Sequence, residues 1–294
     1  MRRRWGARAV IGAPFFWLLI FFLVPFFIVF LVSLGTPQFS VPPYSPAFEW
    51  DGFWPRFVGS FDNYVFLTED DLYWRAYLGS VQIAGGATLM CLLVAWPMAW
   101  VIARATPTWR NILLLAVILP FWTSSLLRIY ALMGLLRQGG LINTGLIWLG
   151  ITDEPIQMMQ TDFAVYLTIV FTYLPLMVLP LYSTLEKLDG TLLEAAADLG
   201  ARGWQTFWTV TLPLSLPGII AGCLLVFIPA VGEFVIPDLM GAQDSPMIGN
   251  VLWGEFTRNR DWPVASAVAI AMLALLVIPF MLLRSSPALR GDGS

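Results

Sequence analysis

Histidine is missing from all 294 residues, which excludes a histidine-based catalytic triad, a histidine proton relay and a histidine metal ligand. Cysteine is scarce. Cys91 and Cys223 each sit inside an apolar run, where a free thiol behaves as a small buried hydrophobe with no redox or metal role. Charged residues make up only 12% of the chain, against about 25% in soluble domains. The net charge of −3 and the lack of any Lys/Arg run beyond the first few residues leave no electrostatic footprint for nucleic acid. The pattern G-x-x-x-x-G-K-[ST] is absent, so the chain has no phosphate-cradling loop for ATP. It also lacks a carboxylate pair, a metal cluster or a nucleophile–base set, which leaves a membrane enzyme as a distant reading.

What the chain has in excess is apolar surface. Hydrophobic residues reach 58% and mean hydropathy is +0.75, a composition that excludes disorder, collagen and a compact cytosolic enzyme. Apolar runs at about 14–34, 76–102, 111–134, 164–184, 218–240 and 263–283 each approach the ~20 residues that cross a hydrocarbon core. The fold class predicted is an all-α integral membrane protein with six transmembrane helices in one domain over residues 1–294. The run behind the Arg-rich start is about 21 residues, longer than the 7–15 of a cleavable signal core and without a small-residue cleavage site, so it reads as a retained first helix.

Basic residues set the orientation. Placing both termini on one side gathers Arg2, Arg3, Arg4, Arg8, Arg104, Arg110, Lys187, Arg202, Arg284 and Arg290 there, against Arg56, Arg75, Arg137, Arg258 and Arg260 opposite. Ten against five predicts cytoplasmic termini. Acids lean the other way, with Glu49, Asp51, Asp62, Glu69, Asp70 and Asp71 in the first outer loop.

The longest inner connection is 185–217. Thr191 followed by Glu194 fits a capping box that starts a helix at Leu192. Gly200 is placed to end that helix in a left-handed conformation, a second helical stretch follows at about 203–210, and Pro213 and Pro217 then break the chain. Ala195, Ala196 and Ala197 give the first helix a low-relief face, open to a partner or merely part of a connector.

The spacing within this loop is more specific. Glu194-Ala195-Ala196, Gly200 after three further residues, and Val210, Leu212 and Pro213 after nine more resemble the EAA loop of membrane subunits in binding-protein-dependent ABC importers. That family usually has Ile where this chain has Val210. Residues 120–131, 173–182, 232–238 and 260–267 are similar to its polyamine branch, the putrescine permease in particular. The resemblance implies a type I ABC importer permease fold in the bacterial inner membrane. It also implies ATP-driven import of polyamines, putrescine first and spermidine second, with no enzymatic step and no cofactor in this chain. The partners implied are a second homologous permease, two ATPase subunits holding ATP and Mg, and a periplasmic or extracellular substrate-binding protein, all set in membrane lipid. In that family the loop sits in a cleft of the ATPase, so Glu194, Ala195, Ala196, Gly200, Val210, Leu212 and Pro213 become the ATPase-coupling residues. Import of another small organic cation is the alternative within the class, and a stand-alone channel or scaffold the alternative outside it.

Two charges fall well inside predicted spans, Arg128 and Glu233, and each costs at least about 2.5–3.5 kcal/mol near the bilayer centre. Helix rise places them about 9 and 6 Å outward of their span centres, at similar depth. Either they neutralise each other as a buried pair, or Glu233 lines the pathway and accepts from a substrate ammonium beside the irregular backbone of Pro229, Gly232 and Pro237. Trp122, Tyr130 and Tyr173 could bind cations through their ring faces, or anchor and pack the helices. Asp238, nearer the outer end, could concentrate cations at the mouth.

Overall fold

A computed structural model describes residues 10–12, 14–51, 53–241 and 246–285. Arg2, Arg3, Arg4, Arg8 and Arg290 lie outside the described residues. The order is α1 (Val10–Ser33), β1 (Phe48–Asp51), β2 (Trp54–Phe57), α2 (Asp62–Glu69), α3 (Asp71–Arg104), α4 (Pro107–Ile118), α5 (Ser125–Leu136), α6 (Leu141–Trp148) and α7 (Asp162–Leu185). It continues with α8 (Gly190–Asp198), α9 (Gly203–Val231), α10 (Val235–Met240), α11 (Ile248–Gly254) and α12 (Trp262–Ser285).

Four of these helices, α1, α3, α7 and α9, are long and apolar enough to cross a membrane, and the bent pair Pro107–Trp122 and Ser125–Trp148 reaches that length and apolarity when its two arms are counted together. The sixth predicted run falls on α12, whose apolar stretch Trp262–Val277 is shorter. Predicted and observed segments coincide closely at α1 and α7, and differ instructively at the third and fifth.

The third run was expected to be one helix over 111–134. Instead the chain tightens into a 3-10 turn at Leu119–Trp122, becomes extended at Thr123 and Ser124, and resumes at a 96° bend. Pro120 cannot donate to the ladder, and Thr123 turns both its N–H (3.2 Å) and its hydroxyl (2.6 Å) to the Pro120 carbonyl. A hydroxyl that satisfies a carbonyl locally relieves the chain of continuing the helix.

The fifth run was expected to begin after a break at Pro213 and Pro217. The helix instead passes through both prolines, from Gly203 to Val231. A π-turn at Phe207–Thr211, in which the Leu212 N–H reaches back to the Phe207 carbonyl, precedes Pro213. That wider turn opens the ladder where the proline ring would collide with a carbonyl four residues back.

The chain divides into two compact units. In Met1–Tyr77 with Val251–Ser294, α12 packs against α1 and α2. The buried Asn63 amide donates to the Ser33 and Gly35 carbonyls at 2.8 Å each, joining the end of α1 to α2. The antiparallel hairpin β1–β2 sets Phe48 opposite Phe57 and Glu49 opposite Arg56. It falls within the predicted first outer loop, where no strand is expected.

In Leu78–Asn250, the core gathers Cys91, Ala95, Ala99 and Ile102 of α3, Met177, Val178, Leu181 and Leu185 of α7, and Val226 of α9. Gly218 and Gly222 let α9 close on α7: a Cβ at Gly222 would stand 2.6 Å from the Met177 sulfur, and one at Gly218 2.6 Å from the Thr184 hydroxyl. Small residues four apart give membrane helices close backbone contact without any hydrophobic drive. Cys91 and Cys223 are free thiols, as expected.

Candidate functional site: the α8 loop and a carboxylate at a helix break

The loop between α7 and α9 carries α8. Its N-cap is Asp189, whose carboxylate accepts from the Thr191 N–H at 3.0 Å. That amide holds the Asp189 carboxyl below its usual range. The expected box of Thr191 and Glu194 is thus displaced: Thr191 lies inside the helix, and the acid two residues earlier reaches the open amide first. The expected stop does form. Gly200 has φ +81°, its N–H meets the Ala197 carbonyl at 2.8 Å, and the Ala201 N–H meets the Ala196 carbonyl at 3.0 Å. Glu194, Ala195, Gly200 and Pro213 are exposed, whereas Ala196, Val210 and Leu212 are half-buried.

An aromatic column supports this segment. The Arg104 guanidinium lies 3.9 Å from the Trp100 ring centre, Trp100 stacks on Trp96 at 5.4 Å, and Trp96 meets the edge of Phe207 at 4.8 Å. Phe207 begins the π-turn of α9. Close by, Arg110 and Glu186 form an ion pair of 2.6 Å between the starts of α4 and the loop.

The second locus is the break between α9 and α10. Gly232 ends α9, and Glu233 turns its carboxylate onto the start of α10, accepting from the Val235 N–H at 3.1 Å and the Ile236 N–H at 3.4 Å. Its other oxygen accepts from the Tyr173 hydroxyl at 2.5 Å. Arg128 donates to the carbonyl of the neighbouring residue, Thr172, at 3.3 Å. Arg128 and Glu233 therefore converge on adjacent residues of α7 without pairing directly: among the described residues, no ion pair joins them. The direct pair weighed from the sequence is replaced by this arrangement because Tyr173 and the α10 amides already occupy the carboxylate.

Tyr173 is thus brought to Glu233, while Trp122 and Tyr130 stand exposed at 83% and 55% on either side of the Thr123–Ser124 break. Asp238 is exposed on α10. No group of three metal-binding side chains occurs among the described residues.

Two contributors escaped the sequence reading. Ser80 accepts from the Ile248 N–H at 2.7 Å, and Gly249 packs so closely that a Cβ there would stand 2.6 Å from the Gly232 carbonyl oxygen and 2.7 Å from that of Glu233. The only available signal was the glycine itself. Gly249→Ala should push the backbone of the Glu233 break aside and destabilise the protein by about 1–3 kcal/mol, read as a lowered melting temperature in detergent.

The sequence profile of the binding-protein-dependent transport system inner membrane component family matches residues 6–291. The chain belongs to that family. It is a multi-pass protein of the bacterial inner membrane. Among relatives of this importer-permease family, the chain is 43% identical over 271 residues to the spermidine/putrescine transport system permease protein PotB of Haemophilus influenzae, covering 92% of this chain and 90% of that one. It is also 43% identical to PotB of Escherichia coli K12, over 91% and 92% of the two chains. A chain of the bacterial alginate ABC transporter, solved in complex with an alginate-bound periplasmic protein, superposes with TM-score 0.70 at 16% identity, over 96% of this permease-family chain and 93% of that one. At that identity the likeness establishes the ABC transporter permease fold.

Proposed function

We propose that this chain is one permease subunit of an ATP-driven polyamine importer, with putrescine the first cargo and spermidine the second. The observation that carries the reading is the 43% identity, across nine-tenths of the chain, to permeases named for both polyamines. The site supports it. Glu233 is a half-buried carboxylate at an interrupted helix, the kind of break at which transporters bind ions and small substrates. A cargo ammonium would take the place of the Tyr173 hydroxyl as donor, with Asp238 drawing cations toward the mouth and Trp122 and Tyr130 offering ring faces beside the pathway.

In this reading residues 1–294 form a single permease domain that crosses the membrane six times with both termini cytoplasmic, α1, α3, the bent pair, α7, α9 and α12 being the crossings. A second homologous permease completes the pore. Two ATPase subunits hold ATP and Mg and receive α8 with Glu194, Ala195 and Ala196, and a substrate-binding protein delivers cargo from outside. Closure of the ATPases would move α8, and the α9 helix would carry that movement to the break at Glu233.

Proteoliposomes holding the full complex test the assignment: ATP-dependent uptake of labelled putrescine is expected, with spermidine a weaker competitor. No uptake of either polyamine by a complex with an active ATPase would refute the cargo.

A further inference from the structure

Arg128 is poorly satisfied for a charge inside a membrane protein. A guanidinium offers five donors, yet the structure shows one hydrogen bond from it, 3.3 Å to the Thr172 carbonyl, and its Nε is buried with no hydrogen-bond partner among the described residues. No carboxylate of the described residues lies within 4.0 Å of it. Beside it opens a cavity of about 560 Å³ lined by Pro97 and Val101 of α3, Val117 of α4, and Phe171 and Leu174 of α7, with Arg128 its one charged wall residue. The Phe121 ring centre lies 5.4 Å from the guanidinium carbon and offsets part of the charge, but an intramembrane cation needs an anion or a carbonyl cage, and neither is complete here.

The depth of the group narrows what can supply the anion. Thr172 lies ten residues from one end of α7 and thirteen from the other, about 15 and 20 Å along a helix. In a hydrocarbon core about 30 Å thick, an upright α7 centred on the bilayer holds the guanidinium near the midplane and away from the headgroups of both leaflets; the outward offset of about 9 Å expected from an unbroken third span does not survive the 96° bend. A polyamine cargo has the wrong sign, and Glu233 is held by Tyr173 and the α10 amides. What remains is a carboxylate carried at mid-membrane depth by another protein segment.

We infer that the cavity beside Arg128 receives side chains from a transmembrane helix of the second permease subunit, and that an Asp or Glu on that helix is the counter-ion of Arg128. The inference rests on the proposed pairing of two permease chains. The apolar walls take the helix's side chains, and the planar guanidinium meets the carboxylate in a two-pronged hydrogen bond that fixes register between the subunits. Arginine suits this post because it stays charged at any depth, whereas a buried lysine can shed its proton.

A photo-crosslinking amino acid replacing Ala116, which also lines the cavity, tests the contact in the intact complex in membranes. The expected product joins this chain to a spanning helix of the second permease, within a turn of an acidic residue. Products confined to lipid or to this chain overturn the inference. Arg128→Glu should then lower the co-purifying second permease at least tenfold, and exchanging the identified acid for arginine should restore both assembly and uptake. No restoration, or restoration by Glu233→Arg in its place, overturns the pair. Should no second permease co-purify with the wild-type chain, the two-permease reading itself fails. If it co-purifies but crosslinks from elsewhere, that reading stands and only this inference falls.

Discussion

Glu233→Gln in the assembled importer is expected to lower polyamine uptake at sub-saturating concentration by about 10–100-fold, since a hydrogen bond to a charged group contributes about 1.5–3 kcal/mol and each 1.4 kcal/mol is tenfold. The amide oxygen of Gln can still accept from the Val235 and Ile236 N–H groups, so α10 keeps its start and the protein should fold. Tyr173→Phe makes the complementary change, removing the 2.5 Å donor while leaving the charge, and should reduce uptake far less. Normal uptake by a well-assembled Gln variant would mean that Glu233 serves only to start α10.

The second large effect belongs to Gly200→Val. At φ +81° a β-branched residue is strained by about 1–2 kcal/mol, and the turn that ends α8 would reopen. The spans lie elsewhere and should assemble, but α8 would be presented to the ATPase at the wrong angle. Uptake should fall more than tenfold, with ATP hydrolysis either lost or no longer tied to transport. Gly200→Asn, which tolerates the left-handed region, should keep most of the activity. Equal uptake by the two variants would show that the backbone conformation at this position does not matter to coupling.

Local chemistry explains what the sequence disclosed and what it did not. Gly200 was readable because few residue types accept a positive φ and its place after an alanine-rich helix admits one purpose. Asp189 was not, because Thr191 offered an equally good capping pattern and only the entry of the chain from α7 decides which side chain faces the free amides. The prolines misled in both directions. Pro213 and Pro217 looked like breaks, yet the π-turn at Phe207–Thr211 carries the helix through them. Pro120 falls inside the run 111–134 expected to be one helix, yet with Thr123 three residues on the ladder ends there.

The candidate site was half legible. Two charges in apolar runs marked Arg128 and Glu233 at once, and similar depth suggested a pair. The sequence held no measure of how adjacent residues of α7 divide them, the Thr172 carbonyl taking the cation and the Tyr173 hydroxyl the anion. Ser80 and Gly249 were invisible because their importance lies in how closely a distant backbone approaches, which composition and periodicity do not encode.

The continuous run of α9 turns the route from the α8 loop to the carboxylate into a question of phase. From Gly203 to Val231 there are 29 residues, about 43 Å of helix, widened at the π-turn of Phe207–Thr211 but nowhere ended. Rotation of one end about the helix axis must therefore appear at the other, and each residue gained or lost between the two ends would turn the Glu233 break by about 100° relative to the loop that carries α8. The length of this helix is consequently as strict a specification as any side chain along it, because it fixes the compass direction in which the carboxylate faces relative to α8.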